Sequence, residues 1–268
     1  MSKKNKGTLS MILLLLAIFT FILYGLFSSG IFKKKEAKQE EVVEEITEEV
    51  VEETPEIKEE IKKPIVVLDA AFGGELEGYV GIVKEADLNA AIVDKVKNKL
   101  SEDERIDVRL SHENHESASV LSKAEIINEI NPDLLITICA ANSDNKSTSG
   151  MHIYVDKPTV ETFERSLSIA ECVQKEFTND DNPVDIRFMY YVPIGNNTYQ
   201  ISYVDIEDKE DKKKNTWLIL ENTECPAIVV EQMYVTSQAD IDKWTSKEGL
   251  ERIAESYYKA ILNYLGIE

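Results

Sequence analysis

From Pro64 onward, short runs of consecutive apolar residues alternate with segments in which apolar residues recur every three or four positions. Ile65-Val66-Val67-Leu68, Leu134-Leu135-Ile136-Thr137-Ile138 and Ala227-Ile228-Val229-Val230 are too continuous for strands with one wet face, so they predict strands covered on both sides. Leu88, Ala91, Ile92, Val96 and Leu100 predict a helix with one core-facing stripe. So do Phe163, Leu167, Ala170, Val173 and Phe177, and again Leu250, Ile253, Ala254, Tyr257, Ile261 and Leu265. Strands of the first kind spaced by helices of the second kind require a layered α/β domain. The stretch from Asn179 to Asn215 shows no clear period and carries the polar run Asp205 to Asn215, which reads as a long surface excursion. Met151-His152-Ile153-Tyr154-Val155 alternates as a strand does, with His152 as an ordinary member of it.

The residues before Pro64 have a different composition. Leu9 to Phe32 is almost wholly apolar and long enough to span a bilayer as a helix, so residues 1–35 read as an uncleaved signal anchor with the membrane contact at residues 9–32. Lysines flank it on both sides, Lys3, Lys4 and Lys6 before and Lys33, Lys34 and Lys35 after, so charge alone does not orient it. Residues 36–63 are dominated by Glu-Glu pairs with a few Val and Ile between them. That composition reads as a solvated stalk, holding the domain of residues 64–268 between about 40 Å (helical) and about 90 Å (extended) from the membrane. Across 268 residues, 50 Asp and Glu against 30 Lys and Arg give a net charge of -20, which repels phosphate backbones and excludes a nucleic-acid partner. Cys139, Cys172 and Cys225 show no CxxC spacing and read as free thiols.

Several segments are familiar in order. Ile65 to Gly74 resembles the opening strand and Asp-x-Gly-His-Gly-Gly loop of the zinc-dependent N-acetylmuramoyl-L-alanine amidases. Glu85-Ala86-Asp87-Leu88-Asn89 is similar to that family's Glu-x-Asp-Leu-Asn, and Lys123 to Asn128 to its Arg-x-x-x-Ala-Asn helix. Asp133 to Ile138 resembles its Asp-Leu-Phe-Ile-Ser-Ile strand. Trp217 to Leu220, with Cys225 to Glu231, is similar to its Val-Leu-Arg and Pro-Ala-Val-Leu-Val-Glu segment. The resemblance covers about residues 65 to 265. It implies a three-layer α-β-α sandwich with a mostly parallel or mixed central sheet, placed outside the cytoplasm on a single-pass anchor in the cell membrane. It also implies cleavage of the amide that joins muramic acid to the peptidoglycan stem. That chemistry uses a zinc held by His, Glu and His, and a separate Glu as general base.

The chain departs from the family where the metal would bind. The first ligand histidine falls on Phe72, and the second on Cys139 or Ala140, depending on where one extra residue before Asn142 is placed. Glu85 matches the carboxylate ligand and Glu231 the catalytic base, so both acids remain and both imidazoles are gone. A site rebuilt from Cys139 and Glu85 has two ligands where catalytic zinc sites hold three. His112-x-x-His115 has a metal-like spacing but reads as a surface loop. Gly73, Gly74, Gly78 and Gly81 do not give a phosphate-binding loop. Glu85 is also favoured at a helix start by the helix dipole alone. Glu231, placed directly after a buried strand, needs solvent or a partner, and a basic ligand group or cation would supply one. The expectation is a non-hydrolytic pseudoamidase that binds peptidoglycan or an envelope protein, without a cofactor unless a zinc site has been rebuilt. The competing readings are an active amidase with an altered metal set, and a structural envelope protein that docks a basic partner.

Overall fold

The computed structural model describes residues 62–113, 116–178, 182–208 and 215–267. The anchor and nearly all of the stalk expected from the sequence lie outside the described residues, as does His115. Among the described residues no helix is long and apolar enough to cross a membrane.

Seven strands form one mixed sheet: β1 (Ile65–Ala70), β2 (Asp107–Leu110), β3 (Leu134–Ala141), β4 (Met151–Tyr154), β5 (Val184–Gly195), β6 (Thr198–Asp205) and β7 (Ala227–Tyr234), in the order β2-β1-β3-β7-β4-β5-β6. The β2, β1, β3 and β7 ladder is parallel, β4 runs antiparallel to β7 and parallel to β5, and β6 closes an antiparallel hairpin on β5. One face packs on α1 (Glu85–Ser101), α3 (Phe163–Phe177) and α6 (Lys247–Leu265) through Val66, Leu68, Ile136, Ile138 and Val230. The other face packs on α2 (Val120–Ile130) and the short α4 (Leu218–Asn222) through Val67, Leu135, Val229 and Met189. Helix α5 (Gln238–Trp244) adds Ile241 and Trp244 to the first core. The result is the three-layer α-β-α arrangement. The central strands bury every side chain of β1 and β3, which is why their sequences carry no polar alternation.

Local chemistry sets the helix ends. The Ser119 and Ser246 hydroxyls accept the N–H of Ser122 and Gly249 at the starts of α2 and α6, and Asn131 and Gly266 stop those helices in the left-handed conformation.

The expected surface excursion between Asn179 and Asn215 is largely strand. Val184, Ile186, Phe188 and Tyr190 alternate inward along β5, a period-2 pattern masked by the polar residues that follow. The hairpin turns at Asn196 and Asn197, whose positive φ of 50° and 56° asparagine tolerates. Glu231 likewise lies inside β7 rather than after it, because Gln232 and Met233 continue the buried strand.

Ile136 sits at the centre of β3 with no exposed surface. Ile136→Ala should lower unfolding free energy by about 2–5 kcal/mol, read as a shifted urea midpoint with an unchanged slope.

Candidate functional site

The C-terminal ends of β1, β3 and β7, with the first residue of α1, surround a cavity of about 430 Å³. Phe72, Glu85, Cys139 and Glu231 all line it, so the structure brings together every residue that sequence reasoning assigned to the site. Cys139 pairs directly with Glu231 across the parallel ladder, which puts both side chains on the same face. Cys139 belongs to the face that packs on α2 and α4 and Ala140 to the opposite core, and both line the cavity.

Glu85 is 4% exposed and fully engaged. Its Oε2 accepts the backbone N–H of Tyr79 at 2.9 Å and its Oε1 the backbone N–H of Ala140 at 3.0 Å. Burial pushes its pKa above the ordinary glutamate value; the two N–H donors oppose that rise, and the Glu231 charge adds to it as a smaller contribution. Desolvation therefore outweighs repulsion between the two acids. Phe72 holds φ at 69°, a conformation that costs a bulky side chain about 1–2 kcal/mol, and its ring packs with Glu85 around the one position, Gly78, where a Cβ would strike both.

Glu231 faces a polar network that sequence reasoning missed. Tyr154 donates its hydroxyl to Glu231 Oε2 at 2.6 Å, and the Arg187 Nη2 donates to Tyr154 at 2.9 Å while lying 3.8 Å from the same carboxylate oxygen. The Arg187 guanidinium stacks on Tyr203, 4.3 Å from the ring centre. His152, opposite Glu231 in the β4–β7 ladder, is held by Asp185 at Nδ1 and by the Tyr234 hydroxyl at Nε2, 2.8 Å away. It is a strand residue, as expected, but with both ring nitrogens committed. Burial raises the Glu231 pKa, and the Tyr154 bond, His152 and Arg187 pull against it. The signal was present: Asp185 and Arg187 occupy the outward positions of the alternation that buries Ile186 and Phe188.

At the far side of the cleft, His112 is a correction. Its ring is buried, with side-chain exposure of 4%, and Nδ1 meets the Ser111 hydroxyl at 2.9 Å. Ser111 donates to Asp69 at 2.5 Å, and Lys123 reaches the same carboxylate at 3.1 Å while donating to the Ala70 carbonyl at 2.7 Å. Burial, reinforced by the Lys123 charge, lowers the His112 pKa. The ring is drawn inward because the end of β1 presents a buried carboxylate that needs partners.

The profile of the family described as N-acetylmuramoyl-L-alanine amidase matches residues 66–263. The chain belongs to that family. A Buchnera aphidicola protein named for the same activity is 23% identical over 225 residues, covering 75% of this chain and 94% of the relative. The fold is also that of the catalytic domain of CwlV from Bacillus (Paenibacillus) polymyxa var. colistinus, with a TM-score of 0.59 and 18% identity over 76% of this chain and 99% of the other. The Clostridium difficile 630 amidase matches at 0.59 and 20%, over 76% and 97%. A further neighbour, the CwlD amidase of Clostridioides difficile, was solved with the GerS lipoprotein and matches at 0.58 and 19%, over 77% and 100%.

The residues present do not fit the family's zinc. Phe72 has no lone pair to give. Cys139 and Glu85 supply two ligands where a catalytic zinc site holds three, and each Glu85 oxygen already accepts one backbone N–H. Among the described residues no group of three or more His, Cys, Asp or Glu side chains is placed to hold a metal ion.

Two outcomes follow from this geometry. Glu85→Gln turns one acceptor oxygen into a donor facing an N–H, so stability should fall by about 1–3 kcal/mol, equally with and without zinc in the buffer, by urea unfolding. Folded Glu231 titrates above the ordinary value of 4.5, so the unfolded chain ionises first and this residue's contribution to stability declines as pH rises through that window. The stability of Glu231→Gln relative to the parent should therefore improve as pH is raised from about 4.5, and the difference should become constant above the folded pKa.

Proposed function

We propose that the chain is a non-hydrolytic member of the amidase family, a recognition module that works at the peptidoglycan layer from outside the cytoplasm, tethered to the cell membrane through residues 9–32. The observation that carries this reading is the state of Glu85. In a cleft without either ligand imidazole, the carboxylate left in the metal position is fastened by Tyr79 and Ala140 and serves to hold the cleft together. Glu231 supports the same reading, since Tyr154 and Arg187 hold it as part of a wall. A base without a metal-bound water has no nucleophile to activate by the family's route.

Amidases of this fold can carry protein partners, as the CwlD complex with the GerS lipoprotein illustrates. A module that has given up cleavage keeps the cleft as a recognition surface.

The test is a paired assay on the full chain. After equilibration with zinc and gel filtration the protein should carry far less than one zinc per chain, and soluble muropeptides should be recovered uncut. One zinc per chain that disappears in Glu85→Ala, together with hydrolysis lost in Glu231→Gln, would establish an active enzyme with an altered metal set.

A further inference from the structure

The mouth and the floor of the cavity have opposite chemistry. At the mouth, Phe72, Leu76, Val120 and Leu218 are exposed at 40, 49, 38 and 46% and all line the cavity. Several large apolar side chains gathered around one opening, on a chain with a net charge of -20, mark a surface made to meet another molecule. The floor is polar. Glu231 gives Oε2 to Tyr154 and keeps Oε1 without a partner among the described residues. Thr137, 4% exposed and one inward-facing position below Cys139 on β3, lines the same cavity with its hydroxyl oxygen unpartnered. Arg187 reaches Glu231 and is shared with Asp185 at 3.5 Å, and Lys123, which lines the cavity, lies 3.1 Å from Asp69, so two cations stand among the four carboxylates Asp69, Glu85, Asp185 and Glu231.

An apolar collar above a floor with more carboxylates than cations, and with Glu231 Oε1 and Thr137 Oγ1 unpartnered, is the complement of a side chain with an apolar stem and a compact cation at its end. Lysine has that form: its methylene stem packs on apolar surface while its ammonium presents three donors from one point. Arginine fits less well, because its planar fork calls for paired acceptors in one plane, and here Glu231 offers one free oxygen. Apolar patches of this kind distinguish protein contacts, and the overall negative charge would speed encounter with a basic partner.

We propose that the cleft is a docking socket for a lysine side chain, flanked by apolar residues, presented by a partner protein. The proposal rests on the reading that no zinc occupies this floor. It assigns Glu231 Oε1 and Thr137 Oγ1 as the acceptors of the ammonium, and Phe72, Leu76, Val120 and Leu218 as the collar around the stem.

The experiment is calorimetric titration of the full chain with acetyl-Leu-Lys-Leu-amide, with the same peptide carrying norleucine in place of lysine, and with soluble muropeptides bearing a free side-chain amine. The lysine peptide should bind, and the norleucine peptide should bind at least about tenfold more weakly, as expected for loss of a charged hydrogen-bonding group. Glu231→Gln should remove most of that preference. Leu76→Ser, a change at an exposed rim position that leaves the core intact, should weaken both peptides alike. Equal binding of the two peptides, or lysine preference unchanged in Glu231→Gln, would overturn the socket. Muropeptides that bind more tightly than the lysine peptide and displace it would show that the cell wall, and not a protein, supplies the amine. Zinc uptake with cleavage would remove the non-hydrolytic reading and the socket together, whereas a zinc-free chain that ignores the lysine peptide would remove the socket alone.

Discussion

The two hydrogen bonds accepted by Glu85 determine the shape of the cleft. One ties the loop after β1, through Tyr79, and the other ties the end of β3, through Ala140, to the first residue of α1. The loop before α1 and the end of β3, 55 residues on, meet on one carboxylate that is 4% exposed. Removing that carboxylate leaves two backbone N–H groups without acceptors, a cost comparable to a sizeable part of a domain's net stability. Phe72, with its φ of 69°, joins Leu76, Val120 and Leu218 in making the cavity mouth apolar.

In an arrangement built around zinc, the charge of a ligand carboxylate is balanced by the ion. Here burial raises the pKa and directed N–H dipoles offset part of the penalty. Similar compensation appears twice more along the C-terminal edge of the sheet. Asp69 is balanced by Lys123 and Ser111, and Glu231 by Tyr154 and Arg187. Each acid that faces the cleft has found protein partners, which offset the cost of burying its charge.

Much of this was legible in the sequence because buried parallel strands leave an unambiguous signature. Runs such as Leu134 to Ile138 can be satisfied only between two layers of helices, and the helix stripes beside them say which faces turn inward. The hairpin was not legible for a physical reason. Its outer half is exposed on both faces, so Tyr199, Ile201 and Tyr203 remain exposed and polar residues alternate with them without marking an interior. The register that sets Cys139 beside Glu231 depends on pairing with β7, nearly a hundred residues away in the chain, and no local pattern encodes it. His112 escaped for the opposite reason: its surroundings in sequence are polar, but the carboxylate that draws it inward comes from β1.

The network around Glu231 shows what holds a carboxylate at this position of the sheet. A carboxylate on the inward face of a central strand is costly unless its oxygens are bonded, and β4 and β5 supply Tyr154 and Arg187 at the matching positions of the ladder. Tyr154 is itself buried, and burial together with the adjacent charge holds its hydroxyl protonated, so it acts only as a donor to Glu231. The guanidinium that supports both is fixed by stacking on Tyr203 from the hairpin. The second carboxylate oxygen, Oε1, has no partner among the described residues, and the cavity that Glu231 lines opens through the apolar rim of Phe72, Leu76, Val120 and Leu218, so desolvation of this acid is only half offset by its neighbours.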